Sequence, residues 1–279
     1  MGYPVSINGR KAVFLDIDGT ILKRGEGPFA DDMEAMEEAA GKGCLLFLNT
    51  GRSFANIPQA LLELSFFSGI SAGGGAHILL ADSENQARQG SPAKSRFKTV
   101  YHKWIPDDVL ERIFAWYDKQ PSFCILEAEQ NCYIINGSHQ LHMAREPISV
   151  NSFDEFKRKS SGDLVTKITL DGFASSYERS LLESFFKVNC FAEYSEAVIK
   201  GENKGKAMEL ILGNTGIGRE DSIAIGDSAN DLDMFHCAGL AIAMGNAPDE
   251  IKAAAGAVTA ECGNGGVAAA LKKFVLSGF

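Results

Sequence analysis

Lys11-Ala-Val-Phe-Leu-Asp-Ile-Asp-Gly-Thr20 is the stretch around which the rest of the chain falls into place. Its apolar run, Ala12 to Leu15, has the length of a buried strand and stops at two carboxylates one residue apart, Asp16 and Asp18. If the strand ends at Asp16, both acids lie at the carboxyl edge of a sheet, which is where open α/β sheets bind ligands. There Asp16 is suited to attack phosphorus as a carboxylate nucleophile. Asp18 is suited to protonate the leaving oxygen and then to activate water, so that hydrolysis is split in two through an aspartyl-phosphate. Acids alone repel a phosphate, so this chemistry calls for a hard cation, and magnesium fits best. The bland alternatives are an incidental acidic turn and a calcium loop. The calcium pattern needs glycine at its sixth position and a helix before it, whereas Ile21 holds that position and a strand precedes it.

Two more short apolar runs end in the same way. Cys44 to Leu48 stops at Asn49-Thr-Gly-Arg52, where Thr50 and the N–H of Gly51 can bind a phosphate oxygen with a helix from Ser53 behind them. Thr50 as a plain helix cap is an equally good reading of those residues alone. Ser222 to Gly226 stops at Asp227-Ser-Ala-Asn-Asp-Leu-Asp233, which sets Asp227 at a strand tip and Asn230 and Asp231 in the first helical turn. An acid in that turn is also what the helix dipole favours, and Asp233 falls on another face as a solvated side chain. Gly201-Glu-Asn-Lys-Gly-Lys206 opens a helix with Lys204 at its start, a place the dipole makes unfavourable for a cation. Lys204 makes sense there if it pairs with carboxylates and a phosphate. Three strand tips on one edge of a parallel sheet bring Asp16, Thr50 and Asp227 together. Asp16, Asp227 and the Asp18 carbonyl can then hold one magnesium.

Ile70 to Ala76 is a strand end followed by three glycines, either a tight turn or a close approach of backbone to a ligand. From about Ile78 to Asn189 the acid-tipped strands stop. Phe97 to Trp104 alternates as a strand, Pro106 to Lys119 is a helix, and Ser122 to Ala128 with Asn131 to Ile135 form a hairpin. Phe153 to Lys159 and Ser175 to Lys187 read as helices flanking a strand at Val165 to Leu170. This mixture marks a separate α+β domain. After it, strand and helix alternate to the end of the chain in a parallel α/β pattern.

Composition narrows the partners. The 279 residues carry a net charge of −9, which disfavours nucleic acid and anionic membranes. The six cysteines show neither metal spacing nor close pairing and suit a reducing, cytoplasmic setting. Met1 to Arg10 lacks the apolar core of a signal peptide, and the window Leu61 to Ala81 is too interrupted by Glu63, His77 and glycines to span a membrane. His139 and His142 share helical spacing without an evident third ligand, so surface or satisfied histidines are the expectation.

The motifs resemble those of the haloacid dehalogenase superfamily, and within it the Cof-type phosphatases with a type-IIB cap. The resemblance rests on Asp16-Ile-Asp-Gly-Thr20, Thr50-Gly-Arg52, Lys204 in Asn-Lys-Gly-Lys, and Gly-Asp227-Ser-Ala-Asn230-Asp231. Met244-Gly-Asn-Ala247 and Gly265-Gly-Val-Ala268 also match the Cof pattern. It implies a Rossmann-like parallel-sheet core in two parts, residues 1–78 and 190–279, with an inserted α+β cap domain at 79–189. It also implies Asp16 as nucleophile, Asp18 as general acid/base, Thr50, Gly51, Arg52 and Lys204 as phosphate binders, Asp16, Asp18 and Asp227 at the metal, and Asn230 and Asp231 behind them. The expected function is a magnesium-dependent phosphatase acting on a small phosphate ester such as a sugar phosphate, with the cap closing over the site and selecting the substrate. The rivals are a phosphotransferase or mutase on the same scaffold and a non-catalytic phosphometabolite sensor. Two departures from the family stand out. Gly74 occupies the position of an asparagine after the third core strand, and Val198-Ile-Lys-Gly-Glu-Asn203 lacks the usual proline.

Overall fold

The computed structural model describes residues 10–23, 26–82, 93–139, 141, 143–172, 178, 180, 182–190 and 193–278. The chain forms two compact units. One is built from the chain up to Gly51, Ala60–Val100 and the chain from Asn203 onward; the other from Arg52–Gln59 and Tyr101–Glu202.

The first unit begins with β1 (Ala12–Leu15), α1 (Ala30–Gly41), β2 (Leu45–Asn49), a short α2 (Gln59–Leu62) from its second residue, β3 (Phe67–Ala72), β4 (His77–Ala81) and β5 (Phe97–His102) up to Val100. β1 is buried at every residue, as its unbroken apolar run requires of a strand covered on both faces. Phe14 on β1 and Phe47 on β2 stack with ring centroids 4.9 Å apart, which locks the register of the two central strands.

The second unit contains α3 (Asp107–Tyr117), β6 (Cys124–Ala128), β7 (Cys132–Ile135), β8 (Ile148–Val150), α4 (Phe153–Ser160), β9 (Val165–Asp171), β10 (Phe186–Cys190) and β11 (Tyr194–Ile199). Its sheet has the order β10-β11-β9-β6-β7-β8 and is antiparallel except between β7 and β8. The chain then returns to the first unit through α5 (Lys204–Thr215), β12 (Ser222–Gly226), α6 (Leu232–Cys237), β13 (Leu240–Ala243), α7 (Asp249–Ala254), β14 (Ala257–Val258) and α8 (Gly266–Phe274).

The first sheet runs β14-β13-β12-β1-β2-β3-β4-β5. All pairings from β14 to β3 are parallel. From β1 the chain builds outward through β2 and β3, and β12 to β14 build outward on the other side. The order therefore reverses between β1 and β12, and such a switch point opens a crevice at the carboxyl ends of the strands. This is the expected α/β parallel-sheet core.

The insertion differs from the sequence reading at both ends. β4 and β5 do not belong to the inserted sheet; β4 pairs antiparallel with β3 and extends the first sheet. At the far end, β11 lies in the second sheet between β9 and β10. Strand pairing is a long-range choice, and a period-2 pattern identifies a strand without naming its sheet. Of the helix expected over Ser175 to Lys187, residues 175–177, 179 and 181 fall outside the described residues; Glu178, Ser180 and Leu182 are helical, and from Phe186 the chain is strand β10. His142 lies outside the described residues; His139 Nε2 is 3.8 Å from Glu146. No helix among the described residues is long and apolar enough to cross a membrane.

The second unit buries a charged cluster. Glu127 on β6 is 3.3 Å from Lys167 on β9, accepts a hydrogen bond from Thr169 at 2.6 Å, and accepts another from Asn56 at 3.3 Å. Lys167 also pairs with Glu196 on β11. Burial opposes the Glu127 charge, but Lys167 and the hydrogen bonds from Thr169, Asn56 and Lys167 outweigh it and hold the carboxyl below its usual range. A depressed carboxyl contributes stability above its unfolded value, near 4.3, and loses it as the pH falls through the folded value. Glu127→Gln is therefore expected to cost roughly 3 kcal/mol at neutral pH, because it removes one partner of a buried pair while Glu196 remains. The difference from wild type should shrink as pH falls below about 4.3. Urea unfolding between neutral and acid pH checks both; a pH-independent difference would mean that Glu127 is not held ionised.

Candidate active site

The carboxyl ends of β1, β2, β3 and β12 carry the residues singled out in the sequence. Leu15 pairs with Leu48 on one side and Ile225 on the other, so Asp16, one residue further on, lies between the ends of β2 and β12. The Asp16 N–H donates to the Ile225 carbonyl at 3.0 Å, which carries the strand register one residue past β1 and fixes where the carboxylate starts.

Lys204 is the hub. Its Nζ donates to Asp16 Oδ1 at 2.6 Å and to Asp231 Oδ1 at 2.6 Å, and its side chain is 2% exposed. Three local features put it there. Asn203 caps α5 by accepting from the Lys206 N–H at 2.7 Å, so Lys204 is the first helical residue. Asn49, at the end of β2, donates to the Lys204 carbonyl at 3.0 Å and ties the helix start to the sheet edge. The Gly73–Gly75 turn, with all three φ angles positive, lets the chain pass tightly beneath: a Cβ on Gly75 would lie 2.4 Å from the Asn203 carbonyl oxygen. The glycine run is thus a tight turn packed on the Lys204 approach, with the Gly74 N–H donating to the Thr50 carbonyl at 3.0 Å. Burial works against the Lys204 ammonium, but Asp16 and Asp231 outweigh it and raise its pKa, so the charge is retained.

Asp231 is fully buried and works with both oxygens. Oδ1 faces Lys204, and Oδ2 accepts from the N–H groups of Asp227 and Ser228, both at 2.9 Å. It shapes the turn that presents Asp227. The Asp227 Oδ1 is buried without a hydrogen-bond partner, and one carboxylate oxygen from each of Asp16, Asp227 and Asp231 falls within 4.8 Å of the others. Burial first, then the charge of Asp231, pushes the Asp227 carboxyl up to about 7, with Lys204 opposing. Burial likewise raises Asp16 well above the usual carboxylate range, against the pull of Lys204 and with Asp231 and Asp18 adding to it. Three converging carboxylates, one with an orphaned buried oxygen, form a set of hard oxygen donors with more negative charge than one lysine neutralises. A hard divalent cation fits it.

The other predicted residues are placed as follows. Asp18 is exposed in the loop after β1 and outside the triad of converging oxygens. Thr50 is buried, with its N–H donating to Ser71 at 2.9 Å. Gly51 is half-buried beside Asn230, which is exposed; a Cβ on Gly51 would lie 3.7 Å from the Asn230 amide nitrogen. The helix expected from Ser53 behind Thr50 is only a single 3₁₀ turn, Phe54–Asn56, too short to present a helix dipole to an anion. Arg52 belongs to the second unit, where its guanidinium donates to the Asn56 carbonyl at 2.9 Å. Asp233 is half-buried, less solvated than expected. Asn49 and Asn246 lie within the motifs Asn49–Arg52 and Met244–Ala247, but the sequence assigned neither of them a role. Each is a lone amide whose role lies in long-range hydrogen bonds, and only their position in those motifs hinted at it.

A family model described as haloacid dehalogenase-like hydrolase matches residues 13–271, which covers both halves of the first sheet and everything between them. The chain belongs to this family. Among proteins of known sequence, it is 36% identical over 279 residues to a Haemophilus influenzae protein named "Putative phosphatase", covering 94% of this chain and 97% of that one. It is 28% identical to a 5-amino-6-(5-phospho-D-ribitylamino)uracil phosphatase of Bacillus subtilis, covering 92% and 96%. Among solved structures, a subclass IIB sugar phosphatase of the haloacid dehalogenase superfamily superposes with a TM-score of 0.74 at 26% identity, covering 95% of this chain and 98% of that one. Within the haloacid dehalogenase-like hydrolases the chain is a phosphatase of the Cof type, and its parallel-sheet core is the core of that fold.

Proposed function

We propose that this phosphatase hydrolyses a small phosphorylated metabolite, a sugar phosphate or similar monoester, with magnesium and through an aspartyl-phosphate on Asp16. The observation that carries the reading is the pairing of Lys204 with Asp16 and Asp231 beside the orphaned Asp227 Oδ1. The relatives named for a ribitylaminouracil phosphate and a sugar phosphate support the substrate class.

Asp16, Asp227 and the Asp18 backbone are the groups that would hold the magnesium, with Asp231 and Asn230 behind them. The ion would neutralise the acids and withdraw charge from the phosphoryl oxygens. Lys204 holds the Asp16 carboxylate in one orientation and keeps positive charge beside the phosphoryl group, where transition-state charge gathers. Thr50 and Gly51 bind a phosphate oxygen. In the first step an Asp16 oxygen bonds to phosphorus, the bond from phosphorus to the ester oxygen breaks, and Asp18 gives that oxygen its proton. In the second, water attacks phosphorus, Asp18 takes the water's proton, and the Asp16–phosphorus bond breaks to release phosphate. The exposure of Asp18 suits a group that exchanges protons with leaving group and solvent.

Phosphate release from a panel of sugar phosphates, nucleotides, flavin mononucleotide, pyridoxal phosphate and an aryl phosphate, with magnesium and with chelator, tests the reading. Magnesium-dependent release from a narrow subset is expected. Release that survives chelation would overturn the metal requirement. A folded protein that releases no phosphate but moves phosphoryl groups between sugars would replace hydrolysis by transfer.

A further inference from the structure

Asn246 lies in the loop between β13 and α7 and is exposed, yet its amide is fully engaged by three separate loops. Nδ2 donates to the Gly19 carbonyl at 2.9 Å and to Asp227 Oδ2 at 3.2 Å, and Oδ1 accepts from the Cys262 N–H at 2.8 Å. The orientation is over-determined. A backbone N–H can only donate, and a carbonyl and a carboxylate facing an amide can only accept, so oxygen must face Cys262 and nitrogen the other two. No other side chain of this length supplies one acceptor and two donors in a plane. Aspartate lacks the donors and lysine lacks the acceptor.

The partners explain why such a side chain is needed. Gly19 has φ +78°, and a Cβ there would lie 2.1 Å from Asp227 Oδ2, so the loop after β1 presses directly on this carboxylate. Asn246 holds the same oxygen and the same glycine carbonyl. With Oδ2 held, rotation of the carboxylate is opposed and the unpartnered Oδ1 stays buried, in a carboxylate that brings one oxygen within 4.8 Å of oxygens of Asp16 and Asp231. The Asn246 backbone is held independently: the Met244 N–H donates to Gly226, the Gly245 N–H to Ala260 and the Ala247 N–H to Met244, and the side chains of Met244 and Ala247 are buried.

We propose that Asn246 is a positioning residue for the divalent-cation site, holding Asp227 by one oxygen so that the other is offered to the ion. The proposal rests on the reading of Asp16 and Asp227 as cation ligands. Partners that orient a ligand typically change metal affinity by about 10- to 100-fold when removed. Asn246→Ala is therefore expected to weaken binding by about tenfold or more.

The test is manganese(II) binding, read from the loss of the free-ion EPR signal and by displacement with magnesium, alongside the melting temperature in chelator. A weaker dissociation constant with an unchanged metal-free melting temperature is the expected result, because the loop backbone has its own anchors. An affinity within twofold of wild type would overturn the proposal. So would a large fall in the metal-free melting temperature, or failure to fold, since Asn246 would then be a brace for the Cys262 loop. If wild-type protein binds neither ion, the metal reading itself has failed, an outcome separate from an Asn246 variant that binds as well as wild type.

Discussion

Asp16→Asn is expected to lower kcat by at least about 10⁴-fold, since removal of an enzyme's nucleophile typically leaves only the residual catalysis of binding and charge. The same substitution should leave the metal-free melting temperature equal to or above that of wild type. Burial raises the Asp16 carboxyl well above its usual range. A carboxyl raised in the folded state contributes stability below its unfolded value and loses it as pH rises through the folded one. At neutral pH the ionised form is therefore a cost, and the neutral amide of the same shape avoids it. Lys204 keeps Asp231 at 2.6 Å as a partner in the variant. The contrast between lost turnover and retained stability is the signature of a residue kept for chemistry. Turnover within tenfold of wild type would remove Asp16 as nucleophile, and a marked fall in melting temperature would make it structural. Steady-state phosphate release and a thermal melt in chelator read the two quantities.

Lys204→Met should damage both. Methionine keeps much of the apolar stem, so the substitution tests the charge rather than the volume. Without the ammonium, Asp16 and Asp231 lose the cation each meets at 2.6 Å, while Asp227 stands close by. Breaking a buried ion pair from one side typically costs about 3–5 kcal/mol. The loss should be largest at neutral pH and shrink as the solution is acidified, because the stranded carboxyls then protonate. Turnover should fall by about 10²–10³-fold, the usual cost of losing one preorganised group that stabilises developing charge. Excess magnesium should restore less than a tenth of it. Full recovery with magnesium would show that Lys204 only balances charge.

The parts of this molecule that were legible in its sequence are those whose signals are local. β1, β2 and β12 are short apolar runs that stop at Asp16, Thr50 and Asp227, and each stop coincides with a strand end to within a residue. Asn203 before Lys204 is a cap in the sequence and a cap in the structure. What was not legible depended on partners far along the chain. Phe97 to Trp104 reads as a strand, which the structure ends at His102, but its place at the edge of the first sheet follows from β4 pairing back on β3. Tyr194–Ile199 alternates inward through Ser195, Ala197 and Ile199, two of them too small to mark a strand on apolar periodicity. Asn49 and Asn246 stand in recognisable motifs, but nothing local to them tells what their amides bond. Their value lies in which carbonyl or carboxylate happens to be within reach.

The segment Arg52–Gln59 follows the Thr50 tip of the first sheet in sequence but folds with the second unit. There Ala55 packs with Ile125, Cys132 and Ile134, and Asn56 gives its amide hydrogen to Glu127 and takes one from the Ala144 backbone. The inserted unit is thus not one continuous passage of the gene. A chimera that grafts a relative's insertion between Val100 and Asn203 would leave these eight residues facing an unmatched surface, with Asn56 deprived of the Glu127 carboxylate and the Ala144 N–H it bonds here. Recombination within the family would be expected to conserve the two stretches as a pair. A swap that carries residues 52–59 along with 101–202 should fold where the single-block swap does not.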